Sequence, residues 1–334
     1  MTATPADPFR CSRAARRRGD PLPGTASTVR SFLLLEEPGP WGVVALRDAR
    51  LPDGLGSELS ARCTPLGIRP LLIRRARPNS RALPDRPDRR GPDQLSVPRS
   101  DRGRRARTVI AAYTDPRGSW VERATVTDLR EVLDLDLQRL ASGVGGLLER
   151  SAEPVFAVCV HGRHDACCAE RGRPVLHALA EAEPEATWGV SHVGGDRFSA
   201  NLLILGDGLY YGGLDPTSAV QVAARHREGR LDLRYLRGRS AWPMPVQAAE
   251  IALRTELGMD RLGGVAVVGV RRSTAEHLVK VRLRVADEGA GASDWEVPVV
   301  AHSSEPVLAT CGSARIESLV QWHPRPPERC PTPG

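Results

Sequence analysis

Apolar residues in the first half of the chain fall into short runs of strand length. Residues 67–75 and 106–115 are two such runs, one on each side of a proline-rich segment, and we predict that they share one sheet. Residues 29–46 predict a strand, a turn marked by Pro-Gly-Pro and a second short strand. Residues 119–126 predict a further strand. The first half therefore predicts a sheet interrupted by a surface loop.

A helical pattern follows this sheet. Leucines in residues 128–141 fall mostly on one face of a helix, and Thr127 or Asp128 can cap its first turn. The leucines that define this face are at positions 129, 133, 135, 137 and 140.

The second half of the chain alternates between strand and helix patterns. A strand over 154–160 is followed by a loop and by a helix through 173–184. Residues 187–215 predict a strand, a Gly-Gly turn and a hairpin. The order of elements through residue 227 is that of an α/β unit of thioredoxin-like size. The remaining pattern predicts helices at 216–229 and 243–258, strands at 264–270, 278–285 and 295–300, and a frayed proline-rich tail.

The charge of the chain adds little to this prediction of the fold. The formal net charge is +7, and Lys280 is the only lysine among 47 basic side chains. Basic residues concentrate in 74–108, where prolines and acids are interleaved and aromatic residues are absent. Nucleic-acid binding needs a basic face or stacking aromatics, so we predict a solvated loop and no nucleic-acid partner.

The chain carries no signal for export or for membrane insertion. It has no run of 18 apolar residues, and its N-terminus lacks the apolar core of a secretory signal. Seven cysteines, an odd number, do not suggest the disulfide framework of a secreted domain. We therefore expect a cytoplasmic protein without a membrane partner, in which clustered cysteines indicate metal or redox chemistry.

The residues that could bind a metal or act as nucleophiles lie in two short motifs. In "CVHGRHDACCAERG" (159–172), Cys159 ends a strand, and Cys167 and Cys168 lie near the start of the next helix. Amides at a helix N-terminus favour the thiolate, which binds metals and attacks electrophiles. In "SHVGGD", His192 and Asp196 are four residues apart around two glycines, so a tight turn can aim both side chains at one point.

Three kinds of site fit these motifs. The wide spacing between Cys159 and Cys168 is a poor match to a zinc knuckle, whereas an iron–sulfur cluster tolerates it and accepts imidazole ligands. A thiol-dependent oxidoreductase would use Cys167 and Cys168 with His161 or His192 as the base, although no Cys-x-x-Cys occurs. A metal-binding or interaction module without a cluster is the third possibility.

Other cysteines and histidines receive no ligand role from sequence. We predict that His161 and His164 form hydrogen bonds in their loop and that His177 is structural. Cysteines 11, 63 and 330 lie in flexible or polar stretches, and Cys311 is predicted to be a small buried apolar residue.

Several separated blocks resemble the sucrase/ferredoxin-like family, which is related to thioredoxin-like ferredoxins. The resemblance spans roughly residues 11–258. It implies a thioredoxin-like fold that holds a [2Fe–2S] cluster through two cysteines and the two histidines of a His-x-x-x-His turn. It is carried by "TVRSFLLLEEPGPWG", "CVHGRHDACCAERGRP", "SHVGGDRFSANLLILGDGLYYGGLDP" and "RYLRGRSAWPMPVQAAE".

The resemblance implies ligands and one departure from the family pattern. Cys168 aligns with the usual second cysteine, so Cys159, Cys168 and His192 are the expected ligands. Asp196 stands where relatives carry the second histidine, and a carboxylate is a hard, uncommon cluster ligand. Asp196 can be the fourth ligand, Cys167 can replace it, or the cluster is lost while the fold is kept.

The function that follows is electron transfer with a redox partner such as a reductase. We favour a carrier over a catalyst, with thiol chemistry or a cluster-free binding module as the alternatives. Sucrose hydrolysis is not expected, because a glycosidase needs two carboxylates across a cleft and the sequence singles out no such pair.

The predicted fold is α/β and has four segments. A thioredoxin-like ferredoxin region, 151–258, is preceded by an N-terminal α/β portion, 27–150, which contains the Arg/Pro-rich loop 76–106. A flexible N-terminus, 1–26, and a C-terminal extension, 259–334, complete the chain.

Replacing Asp196 by histidine should raise the reduction potential of such a cluster. A neutral imidazole in place of a carboxylate makes the cluster less negative, which stabilises its reduced form. Redox titration of the wild type and of Asp196→His checks this prediction. A wild-type potential equal to or above that of the variant would contradict it.

Overall fold

A computed structural model describes residues 8–76, 106–273, 278–287 and 291–331. Of the Arg/Pro-rich loop predicted at 76–106, residues 77–105 lie outside these ranges. Within the described residues, no helix combines the length and the apolar character needed to cross a membrane.

The described residues form seven α-helices and seventeen strands. The helices are α1 (Cys11–Arg18), α2 (Ala45–Asp48), α3 (Leu55–Cys63), α4 (Leu137–Ser142), α5 (Ala166–Ala182), α6 (Pro216–Arg227) and α7 (Met244–Glu256). The strands of the first 239 residues are β1 (Ser31–Glu36), β2 (Ile68–Arg74), β3 (Arg107–Tyr113), β4 (Trp120–Val126), β5 (Glu149–Arg150), β6 (Val155–Cys159), β7 (Thr187–Val190), β8 (Leu202–Leu205), β9 (Leu209–Tyr211) and β10 (Leu236–Arg239). Those of the C-terminal region are β11 (Val265–Ser273), β12 (Leu278–Asp287), β13 (Gly291–Ser303), β14 (Val307–Leu308), β15 (Ile316–Glu317), β16 (Val320–Pro324) and β17 (Glu328–Arg329).

A mixed ten-stranded sheet organises the α/β fold that the sequence predicts. Its order is β10-β9-β8-β6-β7-β2-β1-β3-β4-β5, so the strands before residue 151 form one half and those after it form the other. The halves meet where β2 runs antiparallel to β7, pairing Ile73 with Val190 and Arg74 with Gly189. The N-terminal α/β portion and the region after it therefore share one continuous sheet.

Both faces of this sheet are buried. In β1, Phe32 and Leu34 join one apolar cluster, whereas Leu33 and Leu35 join another on the opposite face. Side chains alternate between the faces of a strand, so a run that is apolar at every position fits a strand covered on both sides.

Strand β6, helix α5 and strand β7 form a parallel crossover that positions the candidate site. β6 pairs in parallel with β7, with Cys159 opposite Val190. Because parallel strands end at the same edge of a sheet, the chain leaving β6 and the chain leaving β7 emerge side by side.

The C-terminal extension forms a second sheet that packs on α7. Strands β11, β12, β13 and β16 follow one another in it, and β17 pairs with β13. Valines of β12 and β13 bury against Val246 and Leu253 of α7. Residues 320–324 and 328–329 are paired with β13, so these parts of the tail predicted to fray belong to the sheet, whereas β14 and β15 pair with each other.

Two predictions of local secondary structure differ from the structure. The second short strand predicted at the end of residues 29–46 does not form, because residues 41–44 are neither strand nor helix and α2 begins at Ala45. The single helix predicted over 128–141 is a 3-10 helix at 129–134 followed by α4, because Leu135 is extended and Asp136 caps α4 by accepting hydrogen bonds from the Gln138 and Arg139 amides.

The N-terminal segment predicted to be flexible contains an ordered helix within its described residues. Cys11, Ser12 and Ala15 of α1 are buried. The helix packs against the 3-10 turn at 196–198. Apolar and small residues on one face of a helix that is otherwise rich in arginine provide this contact, which the arginines obscure in the sequence.

Glu250 should be critical for stability, because it is buried between two buried arginines. Its Oε1 lies 3.1 Å from Nε of Arg239 and 2.9 Å from Nε of Arg254. Burial raises the pKa of Glu250, but the two guanidiniums outweigh this and hold it below its ordinary value of 4.5. Glu250→Gln should lower the free energy of unfolding by about 3–5 kcal/mol near neutral pH, since it leaves both cations without their anion.

Chemical denaturation measures this loss, with Glu256→Gln on the exposed side of the same helix as the control. A depressed folded-state pKa stabilises the fold above the ordinary pKa and ceases to do so as the pH falls through the folded value. The gap between wild type and Glu250→Gln should therefore narrow in acid. Equal stabilities at neutral pH would contradict the prediction.

Candidate functional site

The first part of the site is the end of β6. Cys159 is the last residue of this strand and is 1% exposed. Helix α5 passes very close to Cys159. A Cβ added to Gly172 would lie 2.1 Å from the Cys159 carbonyl oxygen, which is too close for any side chain. Glycine at this position lets the start of the helix approach the strand end.

The second part is the first turn of α5. Asp165 caps the helix by accepting a hydrogen bond from the Cys167 amide at 2.8 Å. The neighbouring Cys168 is fully buried, and its thiol donates to Oδ1 of Asp196 at 3.1 Å. Successive residues of a helix point about 100° apart, so Cys167 faces a different neighbourhood.

The third part is the turn after β7. Gly194 and Gly195 have φ of +94° and +79°, a backbone region that side chains rarely adopt. The fully buried Arg237 fixes this turn, donating to the Gly194 carbonyl at 3.0 Å and to Oδ1 of Asn201 at 2.8 Å. A Cβ on Gly195 would lie 2.2 Å from the Arg237 guanidinium, so both glycine conformation and glycine size are required there.

These three parts converge on one point. Ligand atoms of Cys159, Cys168 and His192 all lie within 4.8 Å of one another. Asp196 Oδ1 lies 3.0 Å from Nδ1 of His192, and the Asp196 side chain is 4% exposed. The structure thus brings together four of the five residues singled out in the sequence and places Cys167 elsewhere.

The charges at this point support one another. A hydrogen bond with Cys168, followed by contacts with His192, holds the pKa of Cys159 well below its usual range against the effect of burial. Burial lowers the pKa of His192, but the close approach of Asp196 and Cys159 outweighs it and raises this pKa to about 9. Burial is likewise outweighed at Asp196, whose pKa falls below the ordinary value. These pKa shifts all favour the deprotonated thiol and carboxyl beside a protonated imidazole.

Histidines from the loop after β6 cover this centre. The ring of His164 stacks on that of His192, with centroids 3.8 Å apart, and its Nε2 lies 3.8 Å from Oδ2 of Asp196. His161 stacks behind it, and its Nε2 lies 2.9 Å from the Gly42 carbonyl oxygen. Nε2 of His161 therefore contacts a backbone carbonyl of a distant segment, and not a group of its own loop.

His164 was not predicted to be near a metal centre. Together with His192 and Asp196 it forms a second group whose ligand atoms lie within 4.8 Å. Its proximity depends on how the loop folds back over the turn after β7. The sequence carries no signal of this beyond the histidine itself.

Cys167 belongs to a different cluster. Its thiol lies 3.3 Å from the sulfur of Cys311, and Cys11 and Asp165 complete the group. Cys11, predicted to have no role, and Cys311, predicted to be a small buried apolar residue, lie 300 residues apart, and only the tertiary fold joins them. All cysteines of the described residues are free thiols.

The comparisons with known proteins agree with the family resemblance carried by these motifs. No curated protein and no solved structure matches the chain. A family model described as sucrase/ferredoxin-like matches residues 22–238, which include β6, α5 and the turn after β7. Cys159, Cys168, His192 and Asp196 all lie inside the matched region, and the chain belongs to the sucrase/ferredoxin-like family.

Proposed function

We propose that this protein carries electrons through a [2Fe–2S] cluster held by Cys159, Cys168, His192 and Asp196. The observation that carries the proposal is the convergence of two buried thiols and one imidazole within 4.8 Å at one edge of the sheet. Thiolate and imidazole are the ligands that iron–sulfur clusters use.

The donor set fits such a group. Cys168 donates to Asp196, and Asp196 lies beside His192, so these groups are partnered mainly by one another. Bound iron would take the place of protons in these contacts, since ligand thiols and imidazole must be deprotonated. A cluster at this point would supply one-electron redox chemistry.

Asp196 is the better candidate for the fourth ligand. It lies 3.1 Å from the sulfur of Cys168 and 3.0 Å from the imidazole of His192. The sulfur of Cys167, by contrast, contacts Cys311 and Ser12. His164 lies next to Asp196 and is the third residue to test.

The exposure of these residues indicates where a partner would approach. Cys159 and Cys168 are at most 1% exposed, whereas the side chains of His192 and His164 are 25% and 37% exposed. The stacked histidines therefore separate the thiols from solvent. We propose that a redox partner, such as a reductase, docks on this histidine face.

Anaerobically purified protein should contain about two iron and two acid-labile sulfide per chain. Cys168→Ser should lose both, because it removes a ligand. Cys167→Ser is the matched control and should keep its iron and sulfide. It removes the adjacent thiol, which contacts Cys311 and not the candidate cluster ligands. Iron and sulfide assays with visible absorption spectra check these expectations.

Two further variants test the remaining ligands. Asp196→Ala should lower the cluster content, whereas His164→Ala should retain it. The reverse result would transfer the fourth position to His164. A colourless, iron-free wild type would overturn the proposal and favour thiol chemistry or a cluster-free binding module.

A further inference from the structure

A second group of metal-binding side chains lies outside the site described above. Cys11 of α1, Asp165 and Cys167 at the start of α5, and Cys311 in the loop between β14 and β15 come together there. The ligand atoms of these four residues all lie within 4.8 Å of one another. Three separate parts of the chain thus contribute to one cluster.

The distances between the sulfur atoms are slightly shorter than those in a metal-bound set of thiolates. Cys311 Sγ lies 3.3 Å from Cys167 Sγ and 3.5 Å from Cys11 Sγ, and neither contact is a disulfide. Sulfurs around a tetrahedral zinc ion, at Zn–S distances of about 2.3 Å, are about 3.8 Å apart. A small outward movement of the three thiols would accommodate the ion.

Hydrogen bonds fix the Asp165 carboxylate beside the three sulfur atoms. Asp165 is 2% exposed, and its two oxygens accept hydrogen bonds from the Cys167 amide at 2.8 Å and the Cys311 amide at 2.7 Å. The Cys11 thiol lies 3.5 Å from Oδ2 of Asp165. Each carboxylate oxygen has a further lone pair, so a metal can bind without loss of the amide contacts.

Polar groups around the sulfurs complete the environment of a metal site. The Cys11 amide donates to the sulfur of Cys311 at 3.4 Å. Ser12 donates to the sulfur of Cys167 at 3.2 Å and accepts a hydrogen bond from Arg171 at 2.8 Å. Such contacts orient metal-bound thiolates and disperse their charge.

We propose that Cys11, Cys167, Cys311 and Asp165 form a structural zinc site. Zinc suits three thiolates and one carboxylate in a tetrahedron, and four protein ligands leave no open position for a substrate. Cys11 and Cys167 are buried and Cys311 is partly exposed, which gives the ion a way in. Binding would release the thiol protons to the solvent.

Such a site would link α1 and a loop of the C-terminal extension to the start of α5. Cys11 brings the N-terminal helix, and Cys311 brings a loop of the C-terminal extension, where Gly312 lies next to the His164 carbonyl oxygen. Cys167 and Cys168 are consecutive, so the zinc site and the site at Cys168 would lie on the same helix turn. This role does not depend on a cluster at Cys168.

Metal analysis of the full chain tests the site. The wild type, purified from zinc-containing medium, should hold about one zinc per chain that resists dialysis, and Cys311→Ser should hold almost none while its iron content is unchanged. Cys168→Ser should lose iron and keep the zinc. Cys330→Ser is the control, because Cys330 lies outside the group of candidate ligands.

Removal of zinc by a chelator should also lower the melting temperature of the wild type and of Cys330→Ser, but not that of Cys311→Ser. Cobalt titration of the metal-free protein gives a second measurement. The intensity of the thiolate-to-cobalt absorption should correspond to three bound thiolates in the wild type and to two in Cys11→Ser. A zinc-free wild type with no such cobalt absorption would overturn the proposal. Full zinc retention in Cys11→Ser and Cys311→Ser would also overturn it.

Discussion

The parallel pairing of β6 with β7 is the constraint on which the candidate site depends. It brings Cys159 and the turn containing His192 and Asp196 to the same edge of the sheet. The helix between these strands begins at that edge and presents Cys168 to both. A crossover of this kind is a common α/β arrangement, and here its first helical turn carries the chemistry.

Close packing then fixes the geometry at that edge. Gly172 lets α5 reach the end of β6, and the buried Arg237 holds the Gly194–Gly195 turn in place. At the candidate site the buried Asp196 lies 3.0 Å from His192, so its carboxylate has a partner that can carry the opposite charge. The site is thus assembled by rigid elements and one tight turn, so its geometry is largely set before any metal binds.

Consecutive cysteines serve two separate neighbourhoods because they lie on a helix. Cys168 points towards Asp196, whereas Cys167 points towards Cys11 and Cys311. If both proposed sites are occupied, one helix turn joins an electron-transfer centre to a structural anchor for the two ends of the chain. The sequence pair "CC" therefore contributes one residue to each of two groups of candidate ligands.

Much of this was predictable from local pattern. Apolar runs identified β2, β3 and β6, and the order of strands and helices from β6 to α6 identified the α/β unit, because hydrophobic periodicity is a local property. The two cysteine and histidine motifs, together with the family resemblance, singled out Cys159, Cys168 and His192, whose ligand atoms meet in space. The helix pattern failed at 128–141, where the capping residue Asp136 overrides leucine periodicity.

By itself, the sequence determined the α/β pattern, the family and the residues at the edge of the sheet. Only the tertiary structure decided that Cys167 leaves this centre for Cys11 and Cys311, and that His164 folds over His192. It also decided that the tail pairs with β13. These contacts join residues far apart in the chain or depend on the path of a loop, and no periodicity along the sequence records which distant side chains a fold brings together.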